Sequence, residues 1–236
     1  MNNEKFIPPY GTYGSLYLRP LFFGSGPTVG VNPSSEYTFI VFCVPAGPYY
    51  KNNDRKRVQA LINTDFDRSA PKGCDCHKIA GNYAQSLTPD HTAREKGYAI
   101  SLFLDSKTNQ YIDEFSTSNF VGISKTGTYV TPDSKTVLPS ITNMSLMQLT
   151  GDMGYKVEKR PIHINELREF EEVAACGTAV TLVQIDKILY ADKAYEYADK
   201  PDSLCGRLHD KLKAIQYGEE ADCHNWLREI NISATV

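Results

Sequence analysis

The stretch Gly73-Cys74-Asp75-Cys76-His77-Lys78-Ile79-Ala80-Gly81-Asn82-Tyr83 is the most informative part of this sequence. Its Cys and His residues suggest a metal site, but zinc pairs usually have C-x2-C or wider spacing, and no second pair lies at a matching distance. Lys78 lies among small and apolar residues beside a glycine turn, where a lysine can lose its proton easily and act as a Schiff-base nucleophile. The alternative is a solvated surface lysine, as most of the 25 basic residues must be.

Segments typical of strands occur on both sides of this stretch. They are rich in Val, Ile, Phe and Tyr and are bounded by Gly, Pro, Asn or Ser. The predicted strands cover residues 16–23, 37–44, 58–64, 99–105, 119–124, 155–161 and 179–185. Residues 105–109 predict a hairpin loop between two strands.

Helical signals are fewer. Leu146, Leu149 and Met153 have helical spacing before Gly154, a typical C-terminal cap. Pro89 must fit the first turn of its helix or kink it. The predicted helices are 141–153, 166–174 with Asn165 as N-cap, 203–216, and one that begins between residues 82 and 91 and ends at Lys96 before Gly97. Strands and helices are intermixed along the chain, with hairpins among them. This order favours a mixed α/β fold with substantial antiparallel pairing.

Composition excludes several classes of protein. The 236 residues carry 25 basic and 28 acidic side chains, a net charge of -3, which argues against nucleic acid or an anionic membrane as partner. No apolar run reaches the ~20 residues of a membrane-spanning helix. The start does not look like a signal peptide, and six scattered cysteines do not form a disulfide framework. We therefore expect mostly reduced thiols in a cytoplasmic protein.

The segment Lys78–Tyr83 resembles the lysine motif of fold-type IV pyridoxal 5'-phosphate (PLP) enzymes, in particular branched-chain amino acid aminotransferases. The similarity extends from about residue 5 to about residue 230, in the family's order and with similar spacing. Further similar blocks are 16–20, 44–49, 111–115 with 118–120, 138–142 and 172–179. The resemblance implies a large domain built as a pseudo-barrel of mainly antiparallel strands flanked by helices.

The resemblance also implies how PLP is held. Lys78 matches the lysine that forms the Schiff base and moves the proton, and Tyr83 matches the tyrosine that hydrogen-bonds the cofactor's phenolic oxygen. Glu114 matches the carboxylate that faces the pyridine nitrogen and keeps it protonated, so that the ring accepts carbanion electrons. Without the resemblance, Glu114 would read as a surface carboxylate at a strand end.

Further matches concern the phosphate. Ile141, Thr142 and Thr178 match phosphate-binding positions. Thr142 opens a predicted helix, whose free N–H groups and dipole attract an anion. Alternatively, Ser140 or Thr142 merely caps the helix.

The implied substrate pocket contains Tyr17 and the Thr178-Ala179 backbone at the α-carboxylate, and Arg19 at the side-chain carboxylate of glutamate. Arg19 is equally well interpreted as a structural ion-pair partner.

Three departures from the family pattern affect what the chain is expected to do. The chain matches only the interdomain linker, or the end of a missing N-terminal domain (1–14), and the PLP-binding large domain (15–236). In the family, the missing part supplies an arginine that contacts the cofactor phosphate and aromatic residues that line the pocket for the substrate side chain. It also supplies a loop that covers the active site of the partner subunit. Ala80 stands where the family has a glycine, and no Cys-x-x-Cys follows Thr178.

Three hypotheses follow. The first is transfer of the amino group of Leu, Ile or Val to 2-oxoglutarate by a cytoplasmic homodimer, without nucleic acid, membrane or metal. The second is a D-amino acid aminotransferase or aminodeoxychorismate lyase of the same fold. The third is an N-terminally truncated, non-catalytic fragment, for which the linker-like start argues.

Overall fold

The computed structural model describes residues 4–12, 14–47 and 57–230. The chain divides into two compact units. The first comprises Met1–Asp54 and Arg228–Val236, and the second comprises Arg55–Leu227. The linker predicted over residues 1–14 falls within the first unit, and its boundary with a PLP-binding domain stays a prediction.

A long antiparallel hairpin dominates the first unit. Strand β1 (Ser15–Gly24) pairs along its whole length with β2 (Tyr37–Ala46), and Phe22 lies opposite Phe39. Both strands were predicted, and aromatic and β-branched side chains explain why they form. Large apolar side chains point to both faces of this hairpin because side chains alternate along a strand.

The second unit is built around a closed barrel. Its strands are β3 (Val58–Ile62), β4 (Ile100–Leu104), β5 (Ile112–Phe115), β6 (Asn119–Ser124), β7 (Tyr129–Pro132), β8 (Val157–Arg160), β9 (Phe170–Gly177), β10 (Thr181–Tyr190) and β11 (Lys193–Glu196). The barrel closes in the order β3-β4-β5-β6-β9-β10 and back to β3. Strands β7 and β8 extend from β6, and β11 pairs with β10.

Most neighbours in this sheet are antiparallel; the parallel pairs are β10 with β3, β3 with β4, and β7 with β8. This confirms the predicted mixed α/β class and the pseudo-barrel of mainly antiparallel strands.

Within the described ranges, three α-helices accompany the barrel. They are α1 (Ala84–Glu95), α2 (Ile141–Asp152) and α3 (Leu204–Gln216). The predictions for α2 and α3 are confirmed, and the glycines expected after α1 and α2 adopt the left-handed conformation, with φ +85° at Gly97 and +80° at Gly154. Pro89 is buried in the second turn of α1, not in its first.

The helix predicted over Glu166–Ala174 is wrong. A 3₁₀ helix at Ile164–Arg168, capped by His163 and not by Asn165, is followed directly by β9. Strand β9 lies between β6 and β10, so its side chains are buried on both faces. Val173 packs in a cluster formed by the barrel strands, and its neighbour Ala174 packs in a second cluster with α2 and α3. Burial of the β9 side chains between β6 and β10 outweighs the local helix propensity of this segment.

None of the helices in the described ranges has the length and apolarity that crossing a membrane requires.

Candidate active site

Lys78 lies just before a 3₁₀ helix at Ala80–Tyr83 that leads into α1. Its Nζ donates a hydrogen bond of 2.7 Å to Tyr83 Oη, five residues on. The lysine side chain is exposed, and Tyr83 is half-buried. The predicted pair therefore meets in the folded chain, with an amine held beside a phenol.

Buried Asn82 shapes the loop that presents Lys78. Its Nδ2 donates to the carbonyls of Cys74 at 3.0 Å and His77 at 2.9 Å, and the Cys74 thiol donates to its Oδ1 at 3.1 Å. These bonds tie the loop to the start of the helix. Cys74 thus has a structural role here, and no cluster of three or more His, Cys, Asp or Glu side chains suited to a metal occurs in the described part of the chain.

Glu114 is a buried carboxylate on β5. Its Oε1 lies 2.6 Å from Arg68 Nη1 and accepts from the Leu138 N–H at 3.2 Å, and its Oε2 accepts from Asn119 Nδ2 at 3.1 Å. Burial raises the pKa of Glu114 to about 7, although Arg68, the Leu138 N–H and the charge of Lys78 all act to lower it. The guanidinium carbon of Arg68 lies 6.0 Å from the centre of the Tyr83 ring, so the Lys78–Tyr83 pair and Glu114 share one cationic neighbour.

The start of α2 is connected to Glu114. Asn119 Nδ2 also donates to the Leu138 carbonyl at 2.9 Å, so Leu138 is held from both sides three residues before α2 begins. Ser140 caps the helix by accepting from the Asn143 N–H at 3.1 Å. Helix geometry leaves the N–H groups of Ile141 and Thr142 without intrahelical acceptors. An anion could therefore bind at these two residues.

The turn that contains Thr178 and Ala179 joins β9 to β10. Cys176, at the end of β9, pairs with Asn119 on β6, which brings the turn to the end of the sheet where Glu114 lies. Burial and, secondarily, the charge of Glu114 raise the pKa of the Cys176 thiol to about 12. Thr178 and Ala179 are exposed.

The same turn is strained. Thr181 has φ +59°, and the Leu182 N–H donates across it to the Val180 carbonyl at 2.7 Å, as in a γ-turn. A β-branched residue rarely adopts this conformation. The hydrogen bond between Leu182 and Val180 therefore fixes the backbone where the turn enters β10.

Tyr17 and Arg19 lie in the first unit, on the same face of β1. Arg19 Nη1 donates to Tyr17 Oη at 3.4 Å, so the two predicted substrate-binding residues contact each other. Lys78, Tyr83, Glu114, Ile141, Thr142 and Thr178 all belong to the second unit.

Sequence reasoning missed two partners of Glu114. Asn119 lies in a block that resembles the family and at the start of the predicted strand that forms β6. These were the only sequence signals for this residue. Arg68 had none, because it precedes Lys78 in a loop and its contact with β5 depends on tertiary folding.

Comparison with known proteins identifies the family of this chain. The family model for class IV aminotransferases matches residues 6–188. The branched-chain-amino-acid aminotransferase of Helicobacter pylori is 42% identical over 229 residues, 97% of this chain and 67% of that protein. The chloroplastic branched-chain-amino-acid aminotransferase 2 of Arabidopsis thaliana is 36% identical over 230 residues, 97% of this chain and 58% of that protein.

Solved structures show the same fold. The branched-chain amino acid aminotransferase of Escherichia coli superposes with a TM-score of 0.78 at 26% identity, covering 92% of this chain and 71% of that one. The chain thus spans about two thirds of the length of these relatives. Given a family match over most of its length and a shared barrel, this chain belongs to the class IV aminotransferases, which are PLP-dependent enzymes.

Proposed function

We propose that this protein transfers the amino group of branched-chain L-amino acids (Leu, Ile and Val) to 2-oxoglutarate, with PLP bound as a Schiff base on Lys78. The observation that carries the proposal is the grouping of Lys78, Tyr83 and buried Glu114 around Arg68. Tyr83 accepts the hydrogen bond of Lys78, and the Arg68 guanidinium lies 2.6 Å from Glu114 and 6.0 Å from the centre of the Tyr83 ring. The names of the relatives support branched-chain amino acids as substrates.

The residues present suit PLP. Glu114 Oε2 accepts only from Asn119 in the described part of the chain, so it retains capacity for one more donor, such as a ring N–H. The N–H groups of Ile141 and Thr142, together with Thr178, are the proposed phosphate ligands. When bound, PLP supplies an aldehyde that condenses with amines and a ring that accepts electrons from Cα of the substrate.

Lys78 has two proposed roles. Its Nζ binds the cofactor between turnovers, and it removes the proton from the substrate Cα during the reaction. The Tyr83 hydroxyl, 2.7 Å away, orients the amine for both. Two half-reactions in sequence, first with the amino acid and then with the 2-oxo acid, give ping-pong kinetics.

The proposed substrate-binding residues are Tyr17, Arg19, Thr178 and Ala179. Tyr17 and the backbone at Thr178-Ala179 bind the α-carboxylate, and Arg19 binds the side-chain carboxylate of glutamate. The contact between Arg19 and Tyr17 orients the guanidinium. We also propose a cytoplasmic homodimer.

A non-catalytic fragment is the second candidate, because the chain spans about two thirds of the length of its relatives. A D-amino acid aminotransferase or aminodeoxychorismate lyase shares the fold. Assays with L-leucine, D-alanine and aminodeoxychorismate separate these three possibilities: an active chain that prefers L-leucine supports the main proposal.

Covalent labelling tests the proposed role of Lys78. PLP is added, the Schiff base is reduced with borohydride, and the modified peptide is located by mass spectrometry. Label is expected on Lys78, and Lys78→Ala should lose both the label and transamination. Lys72→Ala, which removes an exposed lysine of the same segment, is the matched control. Full transamination by the Lys78→Ala protein would contradict the proposal.

A further inference from the structure

Arg68 and Glu114 form a buried ion pair at the candidate active site. Arg68 Nη1 lies 2.6 Å from Glu114 Oε1, and the two side chains are only 5% and 3% exposed. The guanidinium carbon also lies 6.0 Å from the ring centroid of Tyr83, which accepts the hydrogen bond of Lys78. One buried cation therefore lies against both groups proposed to hold the cofactor ring.

The surroundings of Glu114 explain why the positive charge of Arg68 affects the protonation of this carboxyl group. A carboxyl group that is buried without a partner takes up a proton. Asp113 on β5 adds to this tendency, while Arg68 and Lys78 oppose it, and the nearby Cys176 thiol on β9 is neutral. Arg68 is the strongest of the opposing influences.

The two carboxylate oxygens of Glu114 have different partners. Oε1 is occupied by Arg68 and the Leu138 N–H. Oε2 has the Asn119 amide as its only hydrogen-bond donor within the described ranges. Anchoring one oxygen fixes the direction of the other, which can then accept one further bond.

We infer that Arg68 is a positioning residue that favours the ionised form of Glu114 and aims its free oxygen at the cofactor's ring nitrogen. This inference rests on the proposed function. Arg68 itself touches neither substrate nor cofactor in this role, since it acts through Glu114.

The test begins with the full chain without cofactor. Glutamate is labelled with ¹³C at the carboxyl carbon, the Glu114 signal is assigned with Glu114→Gln, and its titration is followed by NMR. Arg68→Met removes the charge and keeps the length of the side chain, so the midpoint should rise by about one pH unit or more. Arg68→Lys keeps the charge, so its midpoint should stay within about half a unit of the wild type.

Arg57→Met is the matched control. Arg57 is also largely buried in ion pairs, with Asp186 and Asp199, but contacts no group of the candidate site. Its loss should leave the Glu114 midpoint unchanged. An unchanged midpoint in Arg68→Met, or an equal rise in Arg57→Met, would overturn the inference.

If Arg68→Met does not fold, the coupling between Arg68 and Glu114 is measured in the wild-type chain. The ¹⁵N signals of the Arg68 guanidinium should then titrate with the same midpoint as the Glu114 carboxyl carbon. Arg68 signals that stay constant across that midpoint would overturn the inference.

Turnover supplies the link to the reaction. With PLP bound, Arg68→Met should lower kcat for L-leucine at pH 7 about five-fold or more, in proportion to the lost ionised fraction, and leave KM within about three-fold. Arg68→Lys should restore most of kcat. An unchanged kcat in Arg68→Met would remove the role in catalysis. The titration needs no cofactor, so its outcome is independent of the labelling of Lys78.

Discussion

At the scale of single residues, the candidate chemistry depends on a few short contacts. Lys78 is exposed and hydrogen-bonded to Tyr83, whereas Glu114 is buried, forms an ion pair with Arg68 and accepts two hydrogen bonds. The amine is therefore free to meet a substrate, and the carboxylate is fixed in place. Substitutions of Lys78 and Tyr83 should change the reaction rate more than folding.

Tyr83→Phe removes the acceptor of the Lys78 hydrogen bond while keeping the ring. Because a bond to a charged group contributes about 1.5–3 kcal/mol, kcat/KM for L-leucine should fall roughly ten-fold or more, with little change in Tm. Steady-state kinetics and thermal unfolding measure the two effects. Tyr98→Phe, at another half-buried tyrosine, should change neither. A Tyr83→Phe enzyme with wild-type kcat/KM would exclude this role.

Glu114 should make stability depend on pH. Burial raises its pKa from the ordinary value of 4.5 to about 7, so the folded chain binds this proton more tightly than the unfolded chain. Its contribution to stability is therefore fully present below about pH 4.5 and is lost as the pH rises through about 7. Between these two pH values, the free energy of unfolding of the wild type should fall by on the order of 3 kcal/mol relative to that of Glu114→Gln.

Urea unfolding at about pH 5 and about pH 8 measures this loss. Glu95→Gln, at an exposed carboxylate, serves as the control and should show no such trend. A difference between wild type and Glu114→Gln that is constant with pH would contradict the prediction.

At the scale of elements, a buried carboxylate anchors α3. Glu172 on β9 accepts from the N–H groups of Leu204 at 2.8 Å and Cys205 at 2.9 Å, the first two residues of the helix. A negative charge is favourable there because the helix N-terminus carries free N–H groups and the positive end of the dipole. The contact joins the central strand of the barrel to a helix that covers it.

Glu172→Gln should therefore destabilise the fold. The amide keeps one acceptor oxygen but turns an NH₂ group towards a helix N–H, so the free energy of unfolding should drop by about 1–3 kcal/mol. Urea denaturation measures the change. Glu169→Gln, at an exposed position nearby, should stay within about 0.5 kcal/mol of the wild type. Equal stability of both variants would refute the anchoring role.

At the scale of the whole molecule, the β1–β2 hairpin has uncovered apolar side chains. Phe22 and Phe39, opposite each other on one face, are 65% and 63% exposed, and Phe42 on the other face is 51% exposed. A two-stranded ribbon is marginally stable in water on its own, and apolar patches of this kind mark contact surfaces. If the proposed homodimer forms through this hairpin, a second copy of the chain covers these side chains.

Phe39→Lys should accordingly weaken self-association. The charge would be buried in any contact that covers this face, which opposes the contact. Sedimentation velocity over a dilution series should show association of the wild type and a shift towards monomer in the variant. Val29→Lys, at a fully exposed loop residue, is the control and should behave as the wild type. Equal association of Phe39→Lys and wild type would exclude this face.

The candidate site was only partly predictable from the sequence. Lys78 and Tyr83 stand five residues apart in one motif, and their contact is local. Glu114 was predicted from its resemblance to a family block, while its partner Arg68 was not, because nothing in a single sequence relates a loop arginine to a strand glutamate. The roles of Thr142 and Thr178 stay predictions.

The sequence by itself determined the features that depend on neighbouring residues: most strands, the caps and lengths of α2 and α3, the loop after β4, and the lysine motif. Tertiary structure alone decided that residues 170–177 form a strand, that six strands close into a barrel, and that Arg68 meets Glu114. The physical reason is that local propensity and capping act within a few residues, whereas burial and strand pairing depend on distant segments of the chain.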